Sequence, residues 1–263
     1  MFATGAPRGA RLTWAAERGN NSEEKTKVSA ARKAALEDLL RGRRPQADAP
    51  PLRGETRCRP LPTGIAPLDA LLAGGFPSGQ VSEIQGPASS GRTGIAHALA
   101  AHATRRGALA AWVDPEGRFD PASAAAAGVD LARLLWLRGD TRTPRGRALG
   151  ESLAAVGTLL GSGLFEVTVL DIAGTPAGEL RRLPGATWIR LQRLVEATPQ
   201  DLVLLAFEHV AKGPGGVTLT LPAGRPIWSG PPGPGRLLRG LHVAARDGRP
   251  PFRDVGFPLH AVD

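Results

Sequence analysis

Apolar positions along the chain alternate between the spacing of strands and the spacing of helices. Period-two or continuous apolar runs predict strands at residues 80–85, 108–113, 134–137, 166–170 and 202–207. Helical spacing predicts helices between them, at residues 93–106, 121–127, 148–160 and 188–195. Strands that alternate with helices pair in parallel and need cover on both faces. The pattern therefore predicts an α/β fold with a mainly parallel, twisted sheet.

The last part of the chain has a different pattern. Residues 217–221 and 238–246 are predicted as strands in a more antiparallel arrangement, with a Pro/Gly-rich loop at 231–235 between them. Trp228 falls in this Pro/Gly-rich region, where an exposed contact to a partner is one of two open interpretations. Residues 247–263 are predicted to be a loop-like tail. We therefore expect one core domain over residues 61–246.

Two weaker segments precede this core. Residues 1–26 are polar and aperiodic, and we expect them to be disordered. Six apolar positions at helical spacing predict an amphipathic helix over 27–42, and residues 43–60 form a linker rich in proline and arginine. A helix of this length is marginal alone in water, so its apolar stripe has to pack on its own domain or on a neighbouring molecule.

Composition narrows the class of protein. No apolar stretch is long enough to cross a bilayer and no secretory signal is predicted, so we expect a cytoplasmic protein. Cys58 is the only cysteine and the five histidines have no paired spacing, so no metal site is predicted. The formal charge of +9 suits an anionic partner such as nucleic acid. The predominance of arginine over lysine is also what a GC-rich genome produces.

The most specific motif is a Gly/Ser-rich turn between a predicted strand and a predicted helix. Backbone N–H groups in such a turn bind phosphate oxygens, helped by the helix dipole. The candidate nucleotide-binding residues are Gly86, Ser89, Ser90, Gly91, Arg92 and Thr93. Arg92 stands where lysine is expected, and a planar guanidinium does not reproduce a compact ammonium group. We expect hydrolysis to suffer by about 10²–10³ in rate. A turn kept only for folding is the alternative.

Several runs in a fixed order resemble the RecA nucleotide-binding core. They are residues 63–69, 74–91, 113–121 and 127–130, and the resemblance covers residues 61–175 and, more loosely, the strand at 202–207. It implies a RecA-like fold with ATP and magnesium as candidate cofactors. It also implies that Glu116 matches the general base that activates water, and that Asp171 matches the acidic residue that supports magnesium.

The same resemblance implies a degenerate site. Ser123 falls where the family has a tyrosine that stacks on adenine, and Glu208 or His209 falls near its γ-phosphate-sensing glutamine. The two loops that hold DNA in the family correspond to residues 173–186 and 212–216, and the second is much shorter here. The candidates for weak, sequence-independent contacts to single-stranded DNA are Arg181, Arg182 and Lys212.

A RecA-like core with these departures resembles the ImuA family of bacterial mutagenesis cassettes. The resemblance implies a non-catalytic accessory protein of the SOS response, with RecA and an ImuB-like Y-family protein of translesion synthesis as partners. The helix over 27–42 would then contact RecA or another RecA-like protomer, with packing on its own domain as the alternative. Two other functions stay open: an active DNA-dependent ATPase of the RecA/RadA type, and a SulA-like inhibitor of cell division.

Overall fold

A computed structural model describes residues 11–13, 31, 33–41, 59–140, 143–196, 198–211 and 215–260. The strands in these ranges are β1 (Arg11–Thr13), β2 (Val81–Gln85), β3 (Leu109–Asp114), β4 (Leu134–Arg138), β5 (Phe165–Asp171), β6 (Asp201–Ala206), β7 (Thr218–Thr220), β8 (Arg225–Ser229), β9 (Leu237–Asp247) and β10 (Arg253–His260). The helices are α1 (33–41), α2 (Ala66–Leu71), α3 (Arg92–Arg105), α4 (Pro121–Ala126), α5 (Arg145–Ser162), α6 (Ala177–Arg181) and α7 (Ala186–Glu196). A 3₁₀ turn, Leu131–Arg133, precedes β4.

The described strands form one sheet in the order β1-β4-β3-β5-β6-β2-β7-β9-β10, and β8 pairs with β9. All pairs from β1 to β7 are parallel, and those that involve β8, β9 and β10 with their neighbours are antiparallel. The predicted fold class is confirmed: a mainly parallel α/β sheet with an antiparallel end. Among the described helices, none is long and apolar enough to cross a membrane.

Two apolar layers hold the helices on the sheet. On one face, Ile95 and Leu99 of α3 pack against residues such as Ile84 of β2. On the other face, Leu159 of α5 and Leu191 of α7 cover the opposite side of the same strands. Every residue of β6 is buried. Burial on both faces explains why the parallel strands have continuous apolar runs, which are readable in the sequence.

The carboxyl-terminal tail differs from its prediction. The expectation of a loop-like segment after residue 247 is wrong for residues 253–260, which form β10 and pair along β9. Trp228 lies in β8 rather than in a loop. Strand β8 has no buried residue, and in β10 the inward Val255, Phe257 and Leu259 alternate with outward positions that include Gly256 and Pro258, residues typical of loops. A strand of this kind leaves a weak apolar signal.

The amino-terminal segments also differ. Disorder over 1–26 is wrong for the three described residues of β1, which pair with β4 in parallel. Within the predicted helix over 27–42, α1 is observed, and its Leu36 and Leu40 are buried in the same apolar layer as α5 and α7. From the sequence we favour packing of the apolar stripe of this helix on another protomer. That expectation is wrong for Leu36 and Leu40, which pack on their own domain. The linker residues 43–58 lie outside the described ranges.

Candidate functional site

The candidate site lies at the carboxyl edge of the parallel strands. Strands β3, β5, β6 and β2 are neighbours in the sheet, so the segments that follow them meet at one edge. The turn of residues 86–91 leaves β2 and leads directly into α3. Asp171 ends β5 and Asp114 ends β3. The structure thus brings the predicted phosphate turn and the predicted magnesium-supporting residue to one place.

Close packing explains the glycines of the turn. A Cβ on Gly86 would lie 2.5 Å from the carbonyl oxygen of Leu221, and one on Gly91 would lie 2.5 Å from a methyl group of Val243. Gly91 also has φ +92°, in the left-handed region that glycine adopts without strain. The exposed Ser89 accepts a hydrogen bond from the Gly224 N–H through its carbonyl oxygen at 2.9 Å. The turn is therefore clamped by the segment after β7 and by β9.

The interior of the turn retains features of a phosphate site. The helix α3 has 14 residues, and its N-cap, Gly91, makes no side-chain capping hydrogen bond. Ser90 is buried, and its Oγ has no hydrogen-bond partner among the described residues. This hydroxyl lies 2.8 Å from the position of a Cβ on Gly86, so it points into the turn. An unpartnered buried hydroxyl beside a helix N-terminus fits an oxyanion.

The side chain of Arg92 is used by the turn itself. Its Nη1 donates to the carbonyl oxygen of Gly86 and, at 2.9 Å, to that of Pro87. Burial lowers the pKa of Arg92 from its ordinary value, Asp171 opposes this effect, and Arg118 adds to it. The guanidinium therefore braces the start of the turn. Such a brace leaves it poorly placed to follow charge that develops on a transferring phosphoryl group.

Two carboxyl groups lie at the ends of the neighbouring strands β5 and β3, at the same edge of the sheet as the turn. Burial raises the pKa of Asp171 to about 6; the Ala173 N–H, 3.1 Å from Oδ1, opposes this, and Asp114 adds to it. Asp114 is buried, its Oδ2 accepts from the Phe119 N–H at 2.7 Å, and its Oδ1 has no partner in the described part of the chain. Carboxylate oxygens suit magnesium. Sequence reasoning missed Asp114, although it lies within the run that carries the resemblance.

The predicted general base is engaged elsewhere. Glu116 follows β3, and its Oε2 lies 3.8 Å from Nε of Arg145 at the start of α5. No contact between Glu116 and the phosphate turn is observed in the described ranges. Arg118, which sequence reasoning also missed, presses against the segment after β5, since a Cβ on Gly174 would lie 2.7 Å from its Cζ. The signal for Arg118 was its place as the one arginine in the run of residues 113–121.

The position expected to stack on a base holds a small polar contact. Ser123 is exposed on α4, and its hydroxyl donates to Oδ2 of Asp120 at 2.5 Å. The same carboxylate caps α4 by accepting from the N–H groups of Ala122 and Ser123. The hydroxyl of Ser123, followed by these N–H groups, lowers the pKa of Asp120. Both side chains therefore serve the start of the helix.

The segment after β6 is anchored by a buried carboxylate. Glu83 of β2 is 1% exposed; its Oε2 lies 2.6 Å from Nδ1 of His209, and its Oε1 accepts from the Val210 N–H at 2.8 Å. Glu208 is exposed and lies 3.8 Å from Nη1 of Arg181. The chain's own carboxylate thus holds the segment at which the family places its phosphate sensor. A glutamate inside an otherwise apolar strand was the signal for this anchor.

The candidate DNA contacts are only partly brought to the site. Arg181 ends α6 and Arg182 caps it, and both are exposed. Arg182 pairs with Glu179 at 2.6 Å, and Arg181 pairs with Glu208. Exposed ion pairs of this kind contribute about 0–1 kcal/mol, so a phosphate group could replace either carboxylate. Lys212 lies outside the described residues.

The geometry of the site is better suited to binding an oxyanion than to hydrolysing a nucleotide. A phosphate group would find the Ser90 hydroxyl and the start of α3, and magnesium would find carboxylates at Asp114 and Asp171. Nucleotide hydrolysis also needs a cation that follows the transferred group and a base that activates water. Arg92 and Glu116 occupy these positions, and both have partners within the chain.

Comparison with known proteins agrees with this geometry. The RecA N-terminal domain family matches residues 53–194. Protein RecA of Lactobacillus delbrueckii subsp. bulgaricus is 36% identical over 141 residues, which are 52% of this chain and 40% of that protein. Protein RecA of Prochlorococcus marinus is 40% identical over 136 residues, 51% of this chain and 33% of that protein. Protein RecA of Symbiobacterium thermophilum is 39% identical over 135 residues, 50% of this chain and 37% of that protein.

These matches are limited to part of each relative, and the chain covers less than half of the length of the curated relatives it matches. The matched segment contains the phosphate turn, Glu116 and Asp171, and it ends within α7. Since the family matches more than half of the chain, the chain belongs to the RecA N-terminal domain family.

Proposed function

We propose that this chain is a non-catalytic, RecA-like accessory protein of DNA-damage-induced mutagenesis. In this role it regulates or bridges RecA and a translesion polymerase complex that contains an ImuB-like Y-family protein. The observation that carries the proposal is the state of Arg92, whose guanidinium is hydrogen-bonded to the carbonyl oxygens of its own turn. A RecA-like core that keeps its fold but uses its phosphate cation internally is suited to binding partners.

Three further observations support a non-catalytic core. Glu116 pairs with Arg145, Ser123 pairs with Asp120, and His209 pairs with Glu83. Glu116 and Ser123 match nucleotide-handling positions of the resembled family, His209 falls near one, and each has a partner within the chain. One departure reduces a rate by about 10²–10³. Several departures that act on the same reaction leave little activity to detect.

Charge supports a weak interaction with single-stranded DNA. No aspartate or glutamate occurs between His209 and Arg246, a stretch that includes β8 and most of β9. Arg225, Arg236 and Arg239 are exposed there. Binding through phosphates alone is sequence-independent and weakens steeply with salt. Such binding suits an accessory protein that is brought to DNA mainly by its partners.

An active RecA/RadA-type ATPase is the second candidate, and the carboxyl groups favour it. Asp171 and Asp114 end neighbouring strands at the edge of the sheet that holds the turn, and Thr93 is exposed on the first turn of α3. The Ser90 hydroxyl is available to an oxyanion. This candidate requires Arg92 to leave the carbonyl oxygens of Gly86 and Pro87 when nucleotide arrives.

An ATPase assay on the full-length chain separates the two candidates. We expect negligible phosphate release with or without single-stranded DNA, while RecA from the same host, assayed in parallel, responds to DNA. The variant Arg92→Lys should stay inactive, because Glu116 and Ser123 keep their partners. DNA-stimulated turnover of about 1–10³ s⁻¹ by the wild-type chain, the ordinary enzyme range, would establish the ATPase instead.

A further inference from the structure

The strands β8 and β9 form a two-stranded ribbon at the antiparallel end of the sheet. Within the described sheet, β8 pairs with β9 alone. Trp228 lies opposite Leu238 and Ser229 lies opposite Leu237. We call residues 228–238, which comprise the end of β8, the connecting loop and the start of β9, the ribbon tip.

The ribbon tip exposes large apolar side chains. Trp228 is 43% exposed, Leu237 is 56% exposed and Leu238 is 49% exposed. Trp228 and Leu238 are directly opposite, so they share one face of the ribbon, and Leu237 points to the other face. A concentration of exposed apolar groups marks an interaction site. Because both faces carry exposed apolar side chains, a bound partner has to contact the tip on both faces.

The tip is also held in one conformation before any partner binds. The guanidinium of Arg236 stacks over the Trp228 ring, with Cζ 5.1 Å from the ring centroid. Arg239 donates from Nε to the Ser229 hydroxyl at 2.9 Å, across an irregularity in the pairing of the two strands. Ordering of side chains in advance reduces the entropy cost of association. Tryptophan and arginine are also the residues that most often dominate binding energy at interfaces.

Charge determines what kind of surface fits the tip. Exposed arginines lie at positions 225 and 236 of the ribbon, Arg236 lies against Trp228, and the sequence has no aspartate or glutamate between residues 209 and 246. A complementary surface therefore carries carboxylates around an apolar pocket. Nucleic acid would satisfy the arginines, but it offers Leu237 and Leu238 no apolar pocket. Two exposed leucines beside one tryptophan favour a protein.

We propose that the ribbon tip docks a protein partner that presents an apolar pocket rimmed by carboxylates. The proposal rests on the proposed accessory function in one respect, since an accessory protein has to hold a partner. It does not depend on whether the phosphate turn binds a nucleotide. Nucleic acid and a second copy of this chain are the alternative occupants, and the experiment below distinguishes them.

Site-specific photo-crosslinking tests the proposal in cells of the chain's own host after DNA damage. A benzophenone side chain is introduced at position 238 of the full-length protein, which leaves Trp228 and the arginines in place. The matched control carries it at position 252, because Phe252 is 69% exposed and lies in the turn at the other end of β9. Mass spectrometry identifies the crosslinked molecule and the peptide that contains the crosslink.

The expected result is one protein captured at position 238 and not at position 252, with a crosslinked peptide rich in carboxylates and apolar residues. Crosslinks to nucleic acid, to another copy of this chain or to a peptide without acidic residues would overturn the proposal. A yield at position 238 no higher than at position 252 would do the same. If the chain proved to be an active ATPase, the proposed accessory function would be wrong, but the crosslinking result would still decide whether the ribbon tip docks a protein.

A binding measurement with the captured partner, purified, completes the test. We expect Trp228→Ala to weaken binding by about 30-fold, the loss associated with an interface hot spot. We expect Arg236→Glu to weaken it further by reversing the charge that faces the carboxylates. Phe252→Ala is the matched control and should bind as the wild type does. Unchanged affinity for Trp228→Ala, with an unchanged melting temperature, would contradict the proposal.

Discussion

Aspartate and arginine side chains are buried or half-buried in the parallel part of the sheet, whereas at its antiparallel end an aspartate and an arginine are exposed and paired. In the parallel part, burial raises the pKa of Asp201 to about 8 and that of Asp171 to about 6, and burial lowers the pKa of Arg92. At the antiparallel end, Asp254 accepts two hydrogen bonds from Arg246, which lower the pKa of the acid and raise that of the base. Both of these groups are exposed.

The difference follows from how each part is covered. Helices cover the parallel strands on both faces, so a charge placed there loses water and is either neutralised or engaged by the chain. The antiparallel strands are covered on one face, so their outer side chains remain hydrated and free to meet a partner. In the part of the chain that resembles an enzyme, charged side chains are thus buried or engaged within the chain. The part with less resemblance presents the accessible side chains.

The largest expected effect concerns Asp201 and pH. Its Oδ1 accepts from the Gly79 N–H at 3.0 Å; this bond and one from Ser78 oppose the effect of burial, and Glu166 adds to that effect. The folded chain holds a proton on Asp201 up to about pH 8, whereas the unfolded chain releases it near pH 4. The free energy of unfolding should therefore fall as pH rises from 4 to 8, by at most about 5 kcal/mol from this group.

Urea unfolding at several pH values between 5 and 8 measures this dependence. Asp201→Asn removes this titrating group and should flatten the pH dependence above about pH 6, whereas Asp171, whose pKa burial raises to about 6, still contributes below that. Asp254→Asn is the matched control, and it should leave the dependence in place because Asp254 is exposed. A wild-type chain that gains stability between pH 5 and pH 8 would show that the two parts of the sheet do not differ in this way.

The next largest expected effect is a difference in unfolding free energy between variants of two leucines. Leu36 of α1 is 2% exposed in the apolar layer of the parallel part, and Leu238 at the ribbon tip is 49% exposed. Leu36→Ala should lower the free energy of unfolding by about 2–5 kcal/mol, the cost of a cavity in a core. Leu238→Ala should change it by less than about 0.5 kcal/mol. Equal, small effects in denaturant unfolding would mean that α1 does not pack on its own domain.

The smallest effect compares two arginines. Arg92→Ala removes a charged donor from the carbonyl oxygens of Gly86 and Pro87, and hydrogen bonds of this type contribute about 1.5–3 kcal/mol. Arg236→Ala exposes Trp228 further but leaves no buried acceptor unpaired, so its effect on unfolding should stay below about 0.5 kcal/mol. Denaturant unfolding of both variants at one pH measures the difference. A larger loss of unfolding free energy for Arg236→Ala than for Arg92→Ala would show that Arg236, rather than Arg92, stabilises the fold.

The accuracy of sequence-based prediction follows this division only in part, since β9 of the antiparallel end was also predicted within one residue at each end. Strands β2 to β6 were predicted within a few residues, because burial on both faces leaves runs such as that of β6. Strand β8 was missed because Pro226 interrupts a short strand that pairs on one side. Strand β10 was missed because Gly256 and Pro258 occupy its outward positions. The residues of the candidate site were identified by motif, and their roles remain proposals.

The sequence by itself determined the fold class and the place of the phosphate turn, because apolar periodicity and a strand–turn–helix motif are local properties. Only the tertiary structure decided what those residues contact. Arg92 meets carbonyl oxygens in its own turn, but Glu83 meets His209 across 126 positions of the chain. Pairing between distant segments depends on the order of strands in the sheet, which no local pattern encodes. The exposure of Trp228 was decided in the same way, since β8 pairs with β9 alone in the described sheet.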